Sequence, residues 1–109
     1  MTDIEELTQL IHQFSEDRDW DQFHNPKDLA IALSIEANEL LECYLWKRPE
    51  DAKIDKVKEE LADVLNYSLL LAEKLGLDAK RIVLDKLAKN AAKYPVERSK
   101  GNARKYTEL

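Results

Sequence analysis

Glu36 and Glu39 stand three residues apart, and after twenty intervening residues Glu60 and Asp63 repeat that spacing. On a helix, residues at i and i+3 share one side, so each pair directs two carboxylates the same way. Around the first pair, in "LSIEANELLECYLW", helical period puts Leu29, Leu33, Leu40 and Tyr44 on one apolar stripe. Glu36 falls inside that stripe and Glu39 at its edge, where burying a carboxylate is costly unless something compensates it. Around the second pair, in "KVKEELADVLNYSLL", Glu60, Asp63 and Tyr67 form a polar strip beside Val57, Leu61 and Val64. Four converging carboxylates repel one another and must hold either protons or cations. Oxygen ligands without His or Cys select a hard ion, with Mg²⁺ the usual choice and Mn²⁺ a substitute. Such an ion takes its remaining ligands from water and substrate phosphates, so the pattern points to a divalent metal completed by a phosphate. The competing reading is a solvated acidic face paired with Lys53, Lys56 and Lys58.

The elements that would position these acids are helical. Thr2 and Glu5 have capping-box spacing, and Ile4, Leu7, Ile11 and Phe14 recur on one face, which predicts a helix over about 3–17. The polar and aromatic "EDRDWDQFHNP" breaks the period and closes on Asn25 as an N-cap before Pro26. A second helix is expected over about 26–46, interrupted at Arg48-Pro49. A third is expected over 52–75, ended by Gly76, and a fourth over 79–93, capped by Asp78. Short connections favour an all-α, antiparallel four-helix bundle with a helical domain over 1–94 and a basic tail over 95–109. Helix two carries a second apolar strip, Ile31, Ile35 and Trp46, and self-association would cover it.

With 109 residues, 44% of them apolar, and only two Gly and three Pro, the composition suits one helical domain. A net charge of −5 argues against binding DNA, RNA or a membrane surface. Cys43 is the single cysteine, which excludes an intrachain disulfide and a Cys-based zinc site. The acidic start "MTDIEELTQL" does not read as a signal peptide and no apolar run is long enough to span a membrane, so a cytoplasmic location is expected.

The pattern Glu36-x-x-Glu39 followed by Glu60-x-x-Asp63 resembles the MazG-like all-α nucleoside triphosphate pyrophosphohydrolases. The blocks "RDWDQFHNPKDLAIALSIEANELLE", "EELADVLNY", "KNAAKYPVE" and "KYTEL" extend the similarity over nearly the whole chain, toward the short, dCTP pyrophosphatase-like branch. That resemblance implies hydrolysis of a deoxynucleoside triphosphate, dCTP favoured, to the monophosphate and pyrophosphate. It implies Glu36, Glu39, Glu60 and Asp63 as Mg²⁺ ligands, and the place of Glu39 at the edge of the apolar stripe favours it as the general base. The resemblance further implies Trp20, His24, Trp46, Tyr67, Lys86, Asn90, Lys93 and Tyr94 as substrate contacts, and assembly as a homodimer or dimer-of-dimers homotetramer. His12 reads as surface. Two alternatives stay open: a dUTP or broad dNTP pyrophosphatase, and a non-enzymatic helical module whose apolar strip binds a partner protein.

Overall fold

Thr2 begins the first helix with a reciprocal cap. Its hydroxyl accepts from the Glu5 amide at 3.2 Å, and its own amide donates to Glu5 Oε2 at 3.1 Å. In the computed structural model, which describes residues 1–109, the resulting helix α1 spans Asp3–Asp17. α2 (Pro26–Glu42) starts at Asn25, whose side chain accepts from the Asp28 amide at 2.9 Å. α3 (Ile54–Lys74) ends in a Schellman motif: Leu77 N–H bonds Ala72 O at 2.8 Å, Gly76 N–H bonds Glu73 O at 2.9 Å, and Gly76 takes φ 69°. Asp78 caps α4 (Ala79–Lys93), and α5 (Val96–Ser99) is a single turn. There is no strand, so the protein is all-α, and no helix is long and apolar enough to cross a membrane.

Two compact units compose the chain, Met1–Leu77 and Asp78–Leu109. In the first, α2 and α3 form an antiparallel hairpin, with α1 packed on α3. Leu29, only 1% exposed, is the most deeply buried side chain. Where α1 stops, Asp19 adopts φ 55° and the Trp20 amide reaches back to Ser15 O at 2.9 Å. Aspartate tolerates this left-handed geometry better than most residues. The reversal lays the Trp20 ring against Phe14, edge to face at 5.8 Å, while the Arg18 guanidinium sits 3.6 Å from the Phe14 ring centre.

Helix two is shorter than the spacing predicts. The amides of Cys43, Tyr44 and Leu45 bond three residues back instead of four, and Trp46 turns left-handed at φ 61°. That geometry cannot continue an α-helix, so Trp46 lies beyond α2, 94% exposed. α3 is also rotated from the apolar pattern: Leu61 points outward at 45% exposure, while Glu60 is buried at 9%. His12 is half-buried instead of purely superficial, its Nδ1 2.8 Å from Glu73 Oε1 on α3. Ile31 and Ile35, the expected second strip, are about half exposed.

In the second unit the tail folds back locally. Tyr94 and Tyr106 meet edge to face at 6.0 Å, and Lys93 Nζ lies 4.9 Å from the Tyr106 ring centre.

Candidate active site

The α2–α3 hairpin brings the acids together. One carboxylate oxygen each from Glu36, Glu60 and Asp63 lies within 4.8 Å of the others. Glu60 is buried and the other two are half-buried. Glu36 Oε2 and Glu60 Oε2 are buried with no hydrogen-bond partner. Unsatisfied carboxylate oxygens in the interior are rare and expensive, and three carboxylates converging on one point form the donor set of a hard divalent cation. The residues present therefore fit a divalent metal.

Glu39 sits beside this trio at the rim, in contact with Glu36 and Glu60. A hydrogen bond with Glu36 and repulsion from that same carboxylate raise its pKa above the ordinary 4.5, partly opposed by its contact with Glu60. A carboxyl that binds its proton more tightly beside another carboxylate is suited to exchange protons.

Two cavities flank the cluster, and they differ in chemistry. The first, of about 310 Å³, is mainly apolar, with walls that include Phe14, Trp20, His24, Asp63, Asn66 and Tyr67. Three of the expected substrate contacts, Trp20, His24 and Tyr67, sit together here, and His24 Nδ1 is buried and unpartnered. Burial first, then the charges of Glu36, Asp63 and Glu39, push the Tyr67 hydroxyl above its usual value, so it remains a donor at neutral pH. The second cavity, of about 470 Å³, is polar and lined by Glu39, Glu42, Cys43, Lys47, Lys56 and Glu60. Asp63 belongs to the first wall and Glu60 to the second, so the acids separate the two spaces.

Residues 31–109 match the MazG-like family. The chain belongs to that family. It is 38% identical over 116 positions to dCTP pyrophosphatase 1 of Rattus norvegicus and 36% identical over 114 positions to that of Homo sapiens. Each alignment covers 97% of this chain and 67% of the relative, so the MazG-like chain spans about two-thirds of their length. A solved pyrophosphatase from Archaeoglobus fulgidus superposes with a TM-score of 0.80 at 37% identity, covering 87% of this chain and 94% of that one.

Trp46 lines neither cavity and stands in solvent. Lys86 and Asn90 are on α4 in the second unit, with Lys93 and Tyr94 at its C-terminal end packed against Tyr106. Sequence reasoning passed over Asn66 as a cavity residue, although it adjoins Tyr67 one turn beyond Asp63. It also read Lys56 only as a partner for acids and gave Lys47 no role, since neither lysine belongs to a recognisable motif.

Proposed function

We propose that this chain hydrolyses deoxynucleoside triphosphates, dCTP foremost, to the monophosphate and pyrophosphate, with Mg²⁺ held by Glu36, Glu60 and Asp63 and with Glu39 closing the set. Its class, a nucleoside triphosphate pyrophosphohydrolase, rests on family membership and on relatives named pyrophosphatase. The observation that carries the metal assignment is the convergence of three acids within 4.8 Å with two buried oxygens left unbonded. A bound divalent ion supplies neutralisation of phosphate charge and a more acidic water.

The chain's own residues do the rest. Trp20 offers an indole face for the base, and the half-buried Tyr67 limits the space at the sugar, which favours a deoxyribose by bulk. His24 Nδ1, buried and unbonded, is available to a polar edge of the base. Water attacks phosphorus, the new P–O bond replaces the bond to the bridging oxygen, pyrophosphate leaves with the electron pair, and Glu39 takes the water's proton. Lys86, Asn90, Lys93 and Tyr94 are assigned to phosphate and sugar, and Trp46 to the base, on the family resemblance. Exposed Ile31, Ile35 and Trp46 support a homodimer or dimer-of-dimers, and the acidic balance and absence of a membrane-crossing helix support a cytoplasmic enzyme.

The test is pyrophosphate and monophosphate release from a panel of dNTPs and NTPs with and without Mg²⁺. Metal-dependent release, fastest with dCTP, is the expected result. Equal rates across bases would move the assignment to a broad dNTP pyrophosphatase, and no release from any nucleotide would end the enzymatic reading.

A further inference from the structure

Cleavage between the α and β phosphates leaves two products of unlike character, a nucleoside monophosphate and a strongly anionic pyrophosphate. The bond that breaks must lie at the acids. The two spaces on either side of them are equally unlike: one is aromatic and apolar, and the other is polar and bordered by Lys47 and Lys56. Only the first offers a surface on which a base can stack. Only the second offers ammonium groups within its walls.

We infer that the polar cavity receives the β and γ phosphates and that Lys47 and Lys56, in its walls, contact them there in addition to the phosphate contacts assigned above. This rests on the pyrophosphohydrolase reading and gives the substrate a direction across the acids. Lys47 is placed by the turn that ends α2, and Lys56 by the first turn of α3. Because Trp46 turns left-handed, the Lys47 amide bonds Tyr44 O at 3.1 Å, and its side chain returns to the cavity at the end of α2. Lys56 precedes Glu60 by one helical turn, with its ammonium 3.6 Å from Glu60 Oε1 and its side chain 62% exposed. An exposed lysine on a flexible stem can move from that carboxylate to an arriving phosphate with little loss. Glu39, Glu42 and Glu60 share the walls, and three acids against two lysines leave the empty cavity unfavourable for a bare anion. Pyrophosphate should therefore enter only with a divalent cation, and a nucleoside monophosphate, which lacks β and γ groups, should be indifferent to the two lysines.

The experiment is calorimetric titration of the full chain with Mn²⁺ alone, with inorganic pyrophosphate in saturating Mn²⁺, and with dCMP in saturating Mn²⁺. Wild type is compared with Lys47→Met, Lys56→Met, the double variant and Lys47→Arg. Both lysines are exposed, and circular dichroism confirms that each variant is folded. Each single Met variant should weaken pyrophosphate about 10-fold and the double variant about 100-fold, with Lys47→Arg near wild type. Affinity for dCMP should stay within about twofold, and Mn²⁺ alone should bind as well or better once a neighbouring cation is gone. Pyrophosphate affinity unchanged in the double variant would overturn the inference, as would an equal loss of dCMP affinity. The underlying reading is scored separately by wild type: failure to cleave any dNTP would remove the enzyme assignment, whatever the lysine variants do to pyrophosphate binding.

Discussion

The acidic pair on α2 and the pair on α3 have the same spacing, yet their surroundings divide them differently. On α3 both members face inward, Glu60 at 9% exposure and Asp63 in the wall of the aromatic cavity. On α2 the pair splits, with Glu36 joining the interior oxygens and Glu39 staying at the rim with a raised pKa. Three acids thus converge, while the fourth stands beside them with a raised pKa. Identical local spacing therefore gives two different settings, because burial depends on what each helix packs against and not on the spacing itself.

Glu60→Gln is the most severe way to probe that division. It removes a buried charge from the centre, so the divalent-induced rise in melting temperature should vanish and turnover should fall by at least about 10³-fold. The metal-free protein should melt no lower than wild type, because a repelling charge has gone. Glu39→Gln is expected to keep most of the metal-induced rise while kcat drops about 10²-fold. Equal loss of the metal response in both variants would erase the distinction between the pairs. Trp20→Ala leaves the acids untouched and should raise KM for the dNTP about 10-fold with kcat nearly unchanged, as expected for about 1.4 kcal/mol of lost base stacking.

The smallest effect is on pH dependence. In the metal-free protein Glu39 holds its proton above its ordinary pKa of 4.5, so the folded state binds more protons than the unfolded one between that value and the raised one. Stability contributed by this group is complete below pH 4.5 and is lost as pH rises through the raised value. Chemical denaturation at several pH values should show that decline. Mg²⁺ or Glu39→Gln should flatten it.

Much of this was legible in the chain. Helix ends were readable wherever a side chain or a glycine makes the cap, as at Thr2, Asn25, Gly76 and Asp78. The end of α2 was not, because no glycine marks it and a tryptophan takes the left-handed position that glycine usually fills. The four acids could be paired from their spacing, but the depth of Glu60 could not. An apolar-inward rule puts Leu61 in the core, whereas the rotation of α3 favours enclosing the carboxylate. Lys47, Lys56 and Asn66 border cavities that exist only after helices distant in sequence have packed, so no motif announced them.

The left-handed turn at Trp46 also has a spectroscopic consequence. This chain holds two indoles in different settings, Trp20 in a cavity wall at 45% exposure and Trp46 almost wholly in water. Trp46 should emit at long wavelength and be readily quenched by iodide, and a blue shift with rising protein concentration would report its burial against a second copy. With Trp46→Phe, the fluorescence that remains belongs to Trp20 alone, and the enzyme becomes its own optical sensor for a base entering the site.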